Sequence, residues 1–192
     1  MDRINENLRY IFVLFIILFI WMSIIYKASS KYLFSTPPIK YEDVALDIEL
    51  KEGRSIEIKE SIFDDHDKKY LYVVYSIKDS NEIGLVIYEK VFINKYIRLA
   101  ANKASPYLFN IYYITDACKD GDQLYIVYGK NNNRKISHFE LDFGDIVKDE
   151  DISQKDYYLI INRFTDKNME FPKTTFFDSK NIDITRYILE KQ

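Results

Sequence analysis

A single cysteine, Cys118, occurs in 192 residues, so no disulfide can form within the chain. Whatever folds must be held together by its core alone, which a segment of about 150 residues can achieve. The lack of bridges points away from a secreted animal domain and toward a bacterial envelope or a cytosolic setting. Glycine is scarce too, with five in the whole chain, and no phosphate-cradling glycine loop can be assembled from them. There is no Cys-x-x-Cys and no His-Glu-x-x-His. Basic residues never gather into a patch: 27 Lys and Arg are interspersed with 30 Asp and Glu, for a net charge of −3. Nucleic acid is therefore not an expected partner, because a positive footprint supplies most of that affinity. The same mixture disfavours a domain lying flat on anionic lipid. No cofactor is expected.

What the chain does contain is a run of uncharged residues from Tyr10 to Tyr26, with no proline and no glycine. As a helix it would be about 25 Å long, at the short end of what crosses a bilayer. Tyr10 and Tyr26 put amphipathic rings at its ends, and Arg9 and Lys27 bracket it. Ser23 can satisfy its hydroxyl on a helix carbonyl. A buried core helix would normally keep a polar face, which this run lacks. Its competitor is a cleaved signal peptide, with Ala28-Ser29-Ser30 at a suitable spacing, but the length of the run and Tyr26-Lys27 favour a retained anchor. Arg3 and Arg9 on one side face Lys27, Lys31 and Lys40 on the other, so the charge rule decides little. The expected organisation is a cytoplasmic tail over 1–9, a transmembrane helix over 10–26, an extended tether over 27–42 and an extracytoplasmic domain over 43–192.

The tether is extended because Pro37 and Pro38 disfavour helix in the residues before them. Beyond it the pattern alternates. Val44, Leu46, Ile48 and Leu50 fall on one face, Glu52-Gly53 makes a turn, and Ile56 and Ile58 resume, which predicts a strand hairpin. Strands are predicted over 70–78, 82–91, 95–100, 108–115, 123–129, 135–143 and 157–163, separated by polar turns such as Asn131-Asn132-Asn133. Residues 149–151 read as an acidic loop, and 183–191 as a short helix or a last strand. The fold class is all-β, an antiparallel meander closing as a sandwich or barrel. Leu71-Tyr72-Val73-Val74-Tyr75 and Leu124-Tyr125-Ile126-Val127-Tyr128 are nearly identical. Two central strands with similar neighbours explain this better than a duplication does.

Few residues suggest chemistry. Asp64, Asp65, His66 and Asp67 could together ligate a divalent cation, although a solvated turn closed by Asp side chains is the plainer reading. His138 would face outward with Glu140 from an edge-like strand, with Phe139 and Leu141 facing the core. A general base there would need a nucleophile, and neither Cys118 nor Ser137 is placed to serve. Cys118 itself lies between lysine and aspartates that offset one another, so its thiol is not activated. The expectation is a membrane-anchored, non-catalytic binding or accessory module for a protein partner, touching lipid through Tyr10–Tyr26. Tyr72, Tyr112 and Tyr125 are the expected binding surface, since aromatics dominate interface energies. The rival is a hydrolase-like envelope enzyme built around His66 or His138, or a β domain secreted after cleavage.

Overall fold

The computed structural model describes residues 12, 15–23, 37–64, 68–114, 123–164 and 170–190. Of the apolar run, Phe12 and residues 15–23 are helical; the expected 10–26 span as a whole lies outside the described residues. Among the described residues, no helix is long and apolar enough to cross a membrane.

The domain is mostly β, with three antiparallel sheets. Sheet A is a meander of β1 (Ile56–Phe63), β2 (Tyr70–Ile77), β3 (Ile83–Phe92) and β4 (Lys95–Ser105) in sequence order. Sheet B has the order β5-β6-β9, from Phe109–Ile114, Gln123–Lys130 and Tyr157–Phe164. Sheet C has the order β10-β7-β8, with β7 (His138–Asp142), β8 (Val147–Asp151) and β10 (Lys173–Phe177). The expected single meander therefore breaks twice: after β4, where β5 begins a new sheet, and after β6, where the chain leaves to build the β7–β8 hairpin and returns as β9 to pair with β6.

The sheets share cores. Tyr72, Val74, Leu85 and Ile87 of sheet A pack against Leu124, Ile126 and Tyr128 of sheet B. Tyr125, Val127 and Tyr158, on the other face of sheet B, pack against Phe139, Leu141 and Phe176 of sheet C. Sheet B is buried on both sides, and so is β2, whose eight residues are all buried. A strand between two cores reads as a continuous apolar run, which is why the two pentads look alike. A short C-terminal helix, α2 (Thr185–Leu189), closes the last core through Ile188, as the periodicity allowed.

The first hairpin is a correction. Residues 41–43 form a 3-10 turn and Val44–Glu52 is a helix, α1, covering the outer face of sheet A. Strand alternation would bury Val44, Leu46, Ile48 and Leu50 together. Instead Val44 and Ile48, four residues apart, are buried, while Leu46 and Leu50 are 54% and 74% exposed. Acidic side chains complete the docking face. The Tyr88 hydroxyl donates to Asp47 at 2.6 Å, and that of Tyr75 donates to Glu52 at 2.6 Å. Gly53, at φ 68°, ends the helix in the left-handed region, its N–H donating to the Glu49 carbonyl at 2.8 Å. Two further strands escaped the pattern: β10, and β8, which runs through the expected acidic loop.

Candidate functional site

A polar concavity lies where β6 ends and the asparagine loop begins. Lys130 is the last residue of β6, and its N–H donates to the Leu108 carbonyl at 2.9 Å. Asn131 follows, 1% exposed, and its carboxamide organises the loop. Its Nδ2 donates to the carbonyls of Ile136 (2.7 Å) and Ile152 (3.0 Å), while its Oδ1 accepts from the Ile136 N–H at 3.0 Å. Three hydrogen bonds on one buried amide fix the path of the chain from β6 to β7. Asn133 and Arg134 take positive φ (56° and 52°), a conformation Asn tolerates better than most residues. Arg134 then reaches Asp156, Nε to Oδ1 at 3.0 Å, and holds that carboxyl below its usual range.

This loop and α2 enclose a cavity of about 330 Å³, lined in part by Lys130, Asn132, Asn133, Lys135, Ile136 and Tyr187. The volume is at the lower end of what holds a small ligand or a partner's side chain. Lys135 Nζ donates to the Tyr187 hydroxyl at 3.0 Å and lies 5.3 Å from that ring's centroid. The polar lining consists of amides, two ammonium groups and a phenol. Such groups bind carboxylates, carbonyls or hydroxyls by hydrogen bonding.

Of the residues singled out in the sequence, none of the described ones lines this pocket. Asp64 is buried and forms an ion pair with Arg163 of β9, so its carboxylate is engaged within the protein. Asp65, His66, Asp67 and Cys118 lie outside the described residues. Among the described residues, no three His, Cys, Asp or Glu are grouped to hold a metal ion. His138 is half-buried, its ring stacked on Phe177 with centroids 4.7 Å apart and planes 10° apart. Phe139 and Leu141 do face the core. The strand is not an edge, however: β7 is the middle of sheet C, hydrogen-bonded on both sides.

Two of the three tyrosines expected on a binding surface are core residues. Tyr72 is 0% and Tyr125 1% exposed, because both sit on central strands between two packed layers. Tyr112 is half-buried. Tyr125 instead packs edge-on against Phe143, at 5.1 Å, and its hydroxyl is pushed up to about 12 by burial and by a hydrogen bond with Tyr113. Nothing local in the sequence marked the pocket beyond the triple asparagine between lysines. Tyr187 joins it from a distant part of the chain, and only α2 docking brings it there.

The chain defines an antiparallel β protein with a polar pocket. No protein-family model, curated protein or solved structure matches it.

Proposed function

We propose that this protein is a membrane-tethered, non-catalytic binding module. In this reading a helix over residues 10–26 holds it in the bilayer, and the domain meets its partner outside the cytoplasm at the asparagine-loop pocket. The observation that carries the reading is the state of residues 15–22. These eight consecutive apolar side chains, Phe15 to Met22, are each between 47% and 71% exposed. A stretch of helix whose apolar side chains are exposed all round is suited to a hydrocarbon solvent. The layered packing of the three sheets favours a sandwich-type closure over a barrel.

Binding is favoured over hydrolysis by the pocket's chemistry. Its lining offers several donors but no nucleophile–base pair, and His138 is engaged in stacking on Phe177. The test is a comparison in mild detergent of the full-length protein with two charge-reversed variants. Lys135→Glu alters the pocket, and Lys180→Glu makes the same charge change on an exposed turn. The expected result is a defined neighbour retained by the wild type and by Lys180→Glu and lost with Lys135→Glu. Equal retention by both variants would remove the pocket from the reading. Release of the full-length chain from membranes by alkaline carbonate would remove the anchor.

A further inference from the structure

One end of sheet A carries apolar and aromatic residues that stay partly or wholly exposed. The β3–β4 hairpin turns there through Phe92, Ile93, Asn94 and Lys95, with Phe92 paired to Lys95. Ile93 is 94% exposed and Phe92 42%. Turns of this kind are normally made of Gly, Asn, Asp and Ser, and a β-branched apolar residue gains nothing from water at a hairpin tip. Beside the hairpin, at the same end of the register, Tyr41, Phe63 and Tyr96 form a ring cluster with centroids 5.8–6.3 Å apart. Tyr41 is 44% and Phe63 37% exposed.

This is also the end at which the chain enters the domain. Ile39 and Tyr96 exchange two backbone hydrogen bonds of 2.8 Å each, tying the incoming segment to the start of β4. Residues 27–38, between the apolar run and that tie, span at most about 40 Å when fully extended. A bilayer holding the run is therefore always within reach of the hairpin tip, at a high effective concentration.

We propose that this end of sheet A rests on the lipid bilayer, with Phe92 and Ile93 inserted at the interface and the exposed edges of Tyr41 and Phe63, packed over the buried Tyr96, just above them. The proposal rests on the reading of residues 10–26 as a membrane anchor. Tyrosine suits headgroup depth because its ring is apolar and its hydroxyl wet, whereas the phenylalanines suit the acyl boundary just below. The charges around the tip are of both signs: Lys90 and Lys95 belong to the hairpin, and nearby Lys40 pairs with Glu42 at 3.9 Å and Lys69 with Glu89 at 2.9 Å. The contact is carried by the apolar side chains and so does not require anionic lipid, although Lys90 and Lys95 would add to it where such lipid is present. Its consequence concerns the pocket. Strand β9 starts at Tyr157, opposite Lys130 of the pocket, and ends at Phe164. Arg163 of β9 pairs with Asp64, the residue after Phe63, so the far end of β9 lies beside the apolar end of sheet A. Seven steps at about 3.3 Å separate the two ends of β9 by roughly 23 Å. Seating the tip on lipid turns the pocket away from the membrane and toward the aqueous phase.

The test places an environment-sensitive fluorophore on Ile93→Cys in full-length protein carrying Cys118→Ser, reconstituted into vesicles. Asn132→Cys at the pocket is the control position. Ile93 and Asn132 are both exposed, so neither introduced cysteine disturbs the core. The vesicles are phosphatidylcholine alone, or phosphatidylcholine with phosphatidylserine. The expected result is blue-shifted emission at position 93, quenched by spin-labelled lipid and shielded from iodide, already in phosphatidylcholine alone and persisting at high salt. Position 132 should show water-like emission open to iodide. If position 93 is as open to iodide as position 132 while the chain resists carbonate extraction, the anchor stands and the lipid contact is overturned. Shielding at 93 without quenching by spin-labelled lipid identifies a protein surface, such as a second copy, and overturns it equally. A chain extracted by carbonate overturns both the anchor and the contact.

Discussion

Gly84 lies directly beneath the ring of Tyr75. The two are partners in the β2–β3 ladder, and a Cβ added at Gly84 would overlap Cζ, Oη and Cε1 of the tyrosine. Tyr75 cannot move aside easily, because its hydroxyl is bonded to Glu52 and its ring lies in the core under α1. Gly84→Ala should therefore destabilise the domain by about 1–3 kcal/mol through overpacking. Tyr75→Leu should relieve that overlap, so the double variant should be more stable than the two single losses added together. Additive losses in denaturant unfolding would show that the ring is free to shift.

Ile126 and Leu50 provide a sharp contrast between two residues of similar apolarity. Ile126 is wholly buried between sheets A and B, whereas Leu50 projects into solvent from α1. Ile126→Ala should cost about 2–5 kcal/mol, the transfer loss plus the cavity. Leu50→Ala should stay within about 0.5 kcal/mol. A loss at Leu50 comparable to that at Ile126 would mean the residue is buried after all, as the strand pattern had suggested.

Glu150 titrates against the trend of its neighbours. On β8 it pairs with the buried Phe139, and burial raises its carboxyl above the usual 4.5, opposed by Lys148 and Lys155. A raised folded value means the folded state holds the proton more tightly than the unfolded one. The stabilisation is then fully present below about 4.5 and is lost as pH rises through the folded value. Glu150→Gln, which mimics the protonated form, should raise the melting temperature at neutral pH. Below the unfolded value, where both proteins carry a neutral group, the difference should vanish. An equal gain at both pH values would point to a cause other than ionisation.

The buried tyrosines set the alkaline limit. Burial raises Tyr75, Tyr88, Tyr125, Tyr128 and Tyr158 above the ordinary 10, with Glu52 and Asp47 adding to Tyr75 and Tyr88. Their contribution to stability is complete below pH 10 and lost as pH rises through their folded values. Exposed phenols should titrate first with the fold intact. The remaining tyrosinate absorbance should then appear together with loss of far-ultraviolet circular dichroism. Full tyrosine titration of a still-folded protein would contradict this burial.

Much of this architecture is written locally. The strands of sheet A from Tyr70 onward, β5, β6, β9 and the central part of β7 follow from β-rich runs punctuated by polar turns, because a buried pleated strand needs apolar residues wherever both faces are covered. The similarity of the 71–75 and 124–128 pentads has the same origin. Both strands are central and doubly covered, and β6 takes β9 rather than β7 as its second neighbour, so the chain does not repeat one unit.

The sequence by itself determined the β class, the absence of an internal disulfide and the presence of the uncharged run at 10–26. Each depends on composition or on a spacing within a few residues. Only the tertiary structure decided that Val44–Glu52 is a helix, since Asp47 and Glu52 turn inward to phenols of Tyr88 and Tyr75 that the local pattern cannot see. It alone buried Tyr72 and Tyr125, by stacking one sheet on the next. It alone made the pocket as well, by bringing Tyr187 against Lys135 across 52 residues of chain. Side chains from distant segments acquire a shared chemistry only when packing fixes their distance, and sequence spacing carries no record of that distance.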